Sequence, residues 1–357
     1  MKLRDLDRRT AGVVLLTLAG FGALAGAAVV AFGLYNVSAR KDHLPGVGWA
    51  LHTTFENAVA LRALAETEVP EDLDTPGMVA LGAGHYESAC KACHGAPGVE
   101  RSATVKRMLP VPPRLDRVGG DWSDAELHWI VHNGVKMSGM PAWPAERADD
   151  VWPVVAFLRA MDGMSGTDYE TLTGGEAAGS CAMCHGENGR STNPHVPRLD
   201  ILSEGYIAQS LAGYRTGARD SGIMAQAMSG VPEDAIARIA RRFAEVEPKG
   251  DAAPMDDLAR DGKTLAYAEG ASESVPSCRA CHGPWPEPLN PAFPSLAGQG
   301  APYLAAQLKL WREGARGGGP AAELMFKSAR DLDDAEIEAL AAYYAALEPA
   351  SLDEVED

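Results

Sequence analysis

The sequence predicts a helical protein in which one N-terminal membrane helix precedes three small units. Two observations support this prediction. No charged residue occurs from Thr10 to Ala39, and a stretch of that length can cross a bilayer as a single helix. Further along the chain, the pattern Cys-x-x-Cys-His occurs three times, at Cys90–His94, Cys181–His185 and Cys278–His282.

The apolar stretch 11–37 is interpreted as a retained transmembrane anchor. Residues 1–10 contain four basic and two acidic side chains, and positive charge before a membrane helix favours a cytoplasmic N-terminus. Small residues between Ala23 and Ala28 leave a cleaved signal peptide as the alternative. Hydrophobicity continues from Val29 to Tyr35, beyond a normal signal core, and this favours the anchor.

The three Cys-x-x-Cys-His phrases contain all six cysteines of the chain. This is the attachment pattern of haem c, in which two thiols bond to the haem vinyl groups and the adjacent histidine ligates the iron. A thioredoxin-like pair would need a single Cys-x-x-Cys beside a βαβ pattern, and a structural zinc site would need paired pairs or distant histidines. We therefore predict three covalent haem c groups. The predicted attachment residues are Cys90, Cys93, Cys181, Cys184, Cys278 and Cys281, and the predicted iron ligands are His94, His185 and His282.

A stalk is expected over residues 40–74, between the anchor and the first haem unit. The segment from Trp49 to Glu68 lacks Gly and Pro, which predicts a helix near the membrane surface or against a partner. His43 and His52 lie in this region. Because each haem phrase already has its own histidine, we expect them to have an interfacial rather than a ligating role.

The first haem domain is predicted over residues 75–163. A helix from Gly77 to Ala89 leads directly into the first phrase. A capping box at Ser123 starts a second helix, which stops at Asn133-Gly134. Apolar residues from Val151 to Met161 recur at helical spacing and predict a third helix.

The second and third haem domains, 164–250 and 251–350, are predicted to be copies of one another. Their equivalent residues are 97 positions apart at first and 101 apart later, which places a four-residue insertion in the Gly-rich run after Arg316. The early pairs include Tyr206 with Tyr303 and Arg219 with Arg316. So long a register indicates an internal duplication. The acidic tail 351–357 is expected to be disordered.

Methionines are the predicted distal ligands of the three irons. Met140 is favoured over Met137 because the proline that follows stiffens its loop. The duplication favours Met224 over Met228, since only position 224, advanced by 101, meets another methionine, Met325. The alternative for any single methionine is hydrophobic packing.

Three prolines, each followed by x-Leu, are candidates to orient the proximal imidazoles through a backbone carbonyl, with simple turn formation as the alternative. They are Pro113, Pro197 and Pro294. His128 and His132 are four positions apart and suggest a metal pair. With Met140 available as a ligand, we expect them to be packing or surface residues. His85 and His195 have no supporting pattern.

These residues resemble those of the class I cytochromes c. The first unit has the order Cys-x-x-Cys-His, Met-Pro and C-terminal helix of single-domain members. Residues 165–350 resemble the dihaem cytochrome c4 group, with paired domains and paired methionines. The resemblance implies small all-α domains with crossing terminal helices around each haem. The segment Gly33–Val37 is similar to anchors of cytochromes that serve haem–copper oxidases. The extra anchored domain departs from the cytochrome c4 pattern.

The predicted function is electron transfer rather than catalysis. The chain is expected to be a single-pass protein of a bacterial inner membrane, with its haem domains in the periplasm. It would carry electrons from a quinol-oxidising complex or a dehydrogenase to a terminal haem–copper oxidase. Its formal charge of −17 argues against nucleic-acid binding. The alternatives are the cytochrome subunit of a membrane dehydrogenase, or a haem enzyme such as a peroxidase or thiosulfate-oxidising cytochrome.

Overall fold

The structure, a computed structural model, is helical throughout the part of the chain that it describes. That part comprises residues 8–117, 120–136, 138–175, 180–268, 277–283, 293–319 and 321–350. Within these ranges there are isolated β-bridges but no strands. The all-α fold class is therefore confirmed. Met137 and the acidic tail 351–357 lie outside the described residues.

The N-terminal helix α1, Arg8–Ala31, is long and apolar enough to cross a membrane, and it makes no buried contact with the rest of the protein. It ends six residues before the predicted limit of the anchor at Val37. Helix α2, Val47–Arg62, follows and packs against the first haem unit. The ring of Phe55 lies 5.5 Å from that of Trp122, and Val59 is fully buried. The stalk helix thus has the first unit as one of its partners.

The first haem unit is built from helices that contribute to one buried cluster. Its helices are α3, Pro76–His85; α4, Lys91–His94; α5, Asp124–Asn133; α6, Trp152–Ala160; and α7, Gly166–Leu172. The predicted capping box is present, with Ser123 and Glu126 bonding each other's backbone N–H, and α5 ends at Gly134 as expected. The predicted helix from Gly77 to Ala89 divides into α3 and a π-helical segment, Tyr86–Cys90.

Helices α3 and α6 cross at a glycine. A Cβ on Gly82 would collide with the carbonyl oxygen of Pro153. Tyr169 on α7 is buried in the same core and lies 6.0 Å, ring to ring, from Phe157. Helix α7 therefore packs with the first unit, although it follows residue 163, the predicted end of the first domain.

In the described part of the chain, four α-helices belong to the second unit and five to the third. They are α8, Cys181–His185; α9, Glu204–Thr216; α10, Gly222–Met228; α11, Ile236–Ala244; α12, Asp257–Tyr267; α13, Arg279–His282; α14, Ala301–Arg312; α15, Ala322–Ala329; and α16, Asp334–Ala346. Helices α9, α10 and α11 correspond to α14, α15 and α16 at the offsets read from the sequence. The structure thus bears out the duplication as a repeat of helices.

The two copies differ at their N-terminal sides. In the third unit, α12 crosses α16 at Gly262, where a Cβ would collide with the carbonyl oxygen of Ala339. This repeats the crossing of α3 and α6. Among the described residues of the second unit no helix takes that place, and α3 of the first unit contacts α8 instead. Part of the packing surface of the second unit is therefore supplied by the first unit.

Candidate haem sites

Each Cys-x-x-Cys-His phrase forms a short helix that ends at a glycine. The residues after the histidines, Gly95, Gly186 and Gly283, have φ values of 72°, 77° and 70°. This left-handed conformation favours glycine. At Gly186 a Cβ would also lie only 2.6 Å from the carbonyl oxygen of Arg190. The glycine lets the chain turn sharply, so the histidine ends its helix and faces the interior of its unit.

The histidine of each phrase is oriented by a prolyl carbonyl. The Nδ1 atoms of His94, His185 and His282 lie 2.9, 2.9 and 2.8 Å from the carbonyl oxygens of Pro113, Pro197 and Pro294, respectively. The contact predicted between each of these prolines and the histidine of its phrase is present. A carbonyl oxygen only accepts, so Nδ1 carries the proton and Nε2 keeps a free lone pair. That lone pair is what a metal ligand must offer.

Burial keeps these imidazoles neutral. Desolvation lowers the pKa of His94, His185 and His282 below the ordinary value, against a smaller opposing effect of the prolyl hydrogen bond. A neutral imidazole binds a metal, whereas a protonated one does not. The arrangement therefore suits ligation rather than proton transfer.

One thiol of each phrase is strongly desolvated. Burial raises the pKa of Cys90 to about 12 and those of Cys184 and Cys278 to about 11. Catalytic or redox-active cysteines instead have lowered pKa values. These cysteines are accordingly poor candidates for a thiol–disulfide centre, and their environment suits thioether attachment.

In the third unit, the structure brings the predicted iron ligands face to face. The Nε2 atom of His282 lies 3.5 Å from the Sδ atom of Met325. Their sequence separation is 43 residues, so the fold and not the local chain brings them together. The surrounding cavity is lined by apolar and aromatic side chains that include Leu304, Trp311 and Tyr344.

In the second unit, His185 and Met224 line a single cavity of about 1060 Å³. This volume matches the upper end of the range for ligand pockets. Met228 lines the same cavity and is almost fully buried. Met224 and Met228 therefore line the same cavity, and the cavity does not distinguish between them as ligands. The choice of Met224 rests on the sequence repeat.

In the first unit, Met140 lies in the turn that follows α5. Its backbone pairs with Val135, and its neighbour Gly139 packs against Met108. No hydrogen bond joins His94 to Met140 among the described residues. The first pair therefore lies within one unit.

Two buried arginines lie beside the second and third sites. Arg219 and Arg316 are each 6% exposed. Their hydrogen-bond partners are neutral tyrosine, glutamine and serine side chains, and no ion pair in the described part of the chain joins either one to a carboxylate. A buried cation is costly without a counter-charge. Haem propionates would supply that charge, so the donor set and the charge both fit haem c.

The wall of the second cavity comes from all three units. A Cβ on Gly84 of α3 would lie 3.0 Å from Cys184 Sγ. His85 and Asp150 of the first unit and Tyr303 of the third line the same space. The sequence indicated no role for these residues beyond the repeat that pairs Tyr303 with Tyr206. The second site is therefore central in the molecule.

Four other histidines make contacts within the chain. His128 is buried, its Nε2–H donates to the Ala148 carbonyl oxygen over 2.7 Å, and its ring stacks with that of His132 at 5.9 Å. Because a carbonyl only accepts, His128 Nε2 is the donor. His43 bonds the Tyr35 hydroxyl at 2.7 Å, and His52 pairs with Glu56 at 3.2 Å.

Two segments of the chain match known cytochrome family models. Residues 77–158 match the family model described as cytochrome c oxidase, cbb3-type, subunit III. Residues 259–348 match the model described as cytochrome c.

Curated relatives match about half of the chain and most of their own length. A thiosulfate dehydrogenase electron acceptor of Stutzerimonas stutzeri (strain A1501) is 36% identical over 54% of this chain and 94% of its own. A cytochrome c4 of Azotobacter vinelandii is 31% identical over 51% of this chain and 91% of its own. The crystal structure of reduced recombinant cytochrome c4 from Pseudomonas stutzeri aligns at 28% identity with a TM-score of 0.44, over 50% of this chain and 97% of that one.

Proposed function

Because the chain belongs to the class I cytochromes c, with a cytochrome c4-like module, we propose that it is a membrane-anchored trihaem electron carrier. It would take electrons from a periplasmic or membrane donor and deliver them to a terminal oxidase. Each haem supplies one-electron chemistry when bound. The protein supplies attachment, ligation and a dry environment.

One observation supports this proposal above the others. The bond from imidazole Nδ1 to a prolyl carbonyl occurs at all three phrases, at 2.8 to 2.9 Å. A hydrogen bond of this kind sets the tautomer and the ring orientation of a metal-ligating histidine. Its repetition at His94, His185 and His282 supports three haem sites rather than two.

Methionine ligation supports a carrier rather than an enzyme. We assign Met140, Met224 and Met325 as the distal ligands, with the cysteine pairs as thioether attachments. A ligand on both sides leaves no open position for a substrate at the iron. His/Met ligation also raises the haem potential, which suits the high-potential part of a respiratory chain. Apolar side chains make up most of the exposed lining of the two cavities, which suits a bound haem.

The proposed anchor is α1. None of the side chains in its apolar window is buried by the rest of the protein. A retained span would hold the first unit beside the membrane, and the match of residues 77–158 to an oxidase subunit model supports an acceptor in the membrane.

A second candidate function differs in the donor. Relatives 35% and 36% identical carry the name thiosulfate dehydrogenase electron acceptor. This chain would then accept electrons from a thiosulfate-oxidising dehydrogenase through the cytochrome c4-like module. The anchored first unit would pass them onward. Both functions need the same three haems and differ only in the protein that docks.

The experiment that tests the proposal uses the full chain purified in mild detergent. We expect three haems per polypeptide by the pyridine haemochrome assay. We also expect the intensity of the Met–iron absorption band to correspond to three methionine-ligated haems per polypeptide. Retention in the membrane fraction after a high-salt wash is expected if α1 is retained. Two haems, or a missing Met–iron contribution, would contradict the trihaem carrier. Co-purification and stopped-flow reduction with a thiosulfate dehydrogenase, compared with a terminal oxidase, separate the two candidate functions.

A further inference from the structure

The helix that carries Met224 is held in part by the first unit. Ser221 is the N-cap of α10, and its Oγ accepts from the Met224 N–H at 3.3 Å. The same hydroxyl donates to Asp150 Oδ2 at 2.8 Å, and the Ile223 N–H donates to that oxygen at 3.3 Å. Asp150 lies just before α6, so one carboxylate joins the first unit to the first turn of α10.

Arg147 strengthens the same contact. Its backbone N–H donates to Asp220 Oδ2 at 2.9 Å, and its guanidinium donates to the Asp220 carbonyl at 3.1 Å. The guanidinium is also 3.6 Å from Asp150 Oδ1. Asp220 and Ser221 are adjacent, so two neighbouring positions before α10 are bonded to residues 147 and 150. Arg147 and Asp150 are only 10% and 11% exposed, so water competes little for these bonds.

Trp143 packs on the other side of this junction. A Cβ on Gly222 would collide with the indole ring of Trp143, so only glycine allows the approach. Trp143 is 8% exposed and lies three residues after Met140. The segments that carry two of the candidate iron ligands therefore touch.

The third unit has no counterpart of this junction among its described residues. Helix α15 begins after Ala321, which makes no side-chain cap, and the Met325 N–H bonds the Ala321 carbonyl at 3.0 Å. The repeat equivalents of Ser221 and Gly222 at the offset of 101 are Ala322 and Glu323. The contact to the first unit thus distinguishes one copy of the duplicated module from the other.

We propose that Asp150 is a positioning residue for Met224, so that methionine ligation of the second haem depends on the docked first unit. This rests on the proposed function, in which Met224 is an axial ligand. Helix α10 has only seven residues, and a helix of that length is unstable without tertiary contacts. The first unit supplies part of those contacts and α9 supplies the rest, so undocking of the first unit would lower the potential of the second haem.

The test is a set of variants of the full-length holoprotein in detergent. Asp150→Ala and the conservative Asp150→Asn remove the carboxylate, and Met224→Ala identifies the signal of the second haem. The readouts are the Met–iron absorption band, the axial methionine methyl resonances of the reduced protein, and the three potentials from a spectroelectrochemical titration. We expect Asp150→Ala to lose or weaken the one methionine signal that Met224→Ala abolishes, and to lower one potential only. In Asp150→Asn, the intensity of that methionine signal and the affected haem potential should lie between the values of Asp150→Ala and those of the parent protein.

Asp149→Ala is the matched control. Asp149 is the preceding residue, has the same charge and also pairs with Arg147, at 2.6 Å, but it is 49% exposed. It should leave all three methionine signals in place. Unchanged signals in Asp150→Ala, with one lost in Met224→Ala, would overturn this inference and leave the carrier function standing. Equal loss at all three haems in Asp150→Ala would also overturn it. If Met224→Ala loses no signal, the ligand assignment itself fails.

Discussion

The guanidinium of Arg316 donates to the phenol oxygen of Tyr206 across the boundary between the second and third units, with Nη2 3.0 Å from Oη. The repeat equivalents make the reciprocal bond, from Arg219 Nη2 to Tyr303 Oη at 3.3 Å. Each arginine thus reaches the tyrosine of the other copy. A two-fold exchange of this kind is what a duplicated module needs to dock its copies face to face.

Replacing Arg316 with Gln should weaken this docking. A hydrogen bond to a charged group contributes about 1.5–3 kcal/mol, and Arg316 makes one to Tyr206 and another to Gln307 at 2.7 Å. We expect the free energy of unfolding of the holoprotein to fall by about that amount, measured by urea denaturation. Arg330→Gln is the control, because Arg330 is 51% exposed and pairs at the surface with Asp331. An equal loss in both variants would contradict a role for the interface.

Alanine at the two helix crossings should be strongly destabilising. A Cβ on Gly82 or Gly262 would collide with backbone carbonyl oxygens of α6 or α16. Overpacking of this kind costs about 1–3 kcal/mol, and more where backbone must move. Thermal unfolding of the holoprotein measures the loss. Gly205→Ala in α9 has open space around its Cβ and should be neutral or stabilising, because alanine favours a helix. Tolerance at both crossings would mean that the helices do not pack as described.

Replacing Met325 with Ala should remove one Met–iron contribution and lower one haem potential. The thioether Sδ lies 3.5 Å from His282 Nε2, and His/Met ligation raises the potential of a haem. Absorption of the oxidised protein and a redox titration check both effects. Met228→Leu serves as a comparison, since it preserves volume at a buried methionine that is not assigned as a ligand. A full Met–iron band in Met325→Ala would refute the assignment.

His85 should make the stability fall in mild acid. Burial lowers the pKa of His85 from 6.5 to about 4. The unfolded chain therefore binds the proton first, and stability is complete above pH 6.5 and declines as the pH falls towards 4. The decline from one group is at most about 1.4 kcal/mol per pH unit. Its ring lies 4.5 Å from that of Trp143, so a proton there would be poorly solvated.

The check is urea unfolding of the holoprotein at a series of pH values between 6.5 and 4. His85→Gln should show a shallower decline than the parent across this window. His52→Gln should follow the parent, because the His52 side chain is 69% exposed. An unchanged slope in His85→Gln would assign the acid sensitivity to other groups.

The helices and capping features that depend on neighbouring residues could be predicted from the sequence. Ser123 and Glu126 are one turn apart, so their reciprocal bonds follow from local geometry. The prolyl carbonyls that hold the proximal histidines follow each phrase within 12 to 19 residues and repeat three times, so they too were predictable. The π-helical segment before Cys90 was not, because residue pattern alone does not distinguish it from a continuing helix.

By itself, the sequence determined the three Cys-x-x-Cys-His phrases and the repeat. The spacing within a phrase places two thiols and an imidazole on one turn whatever surrounds them. Only the tertiary structure decided which residues of one unit form hydrogen bonds with a neighbouring unit. Asp150 and Ser221 are 71 residues apart, and Arg316 and Tyr206 are 110 apart. Such pairs leave no periodic signal, since they form only when separate units dock and bury polar groups that must then find partners.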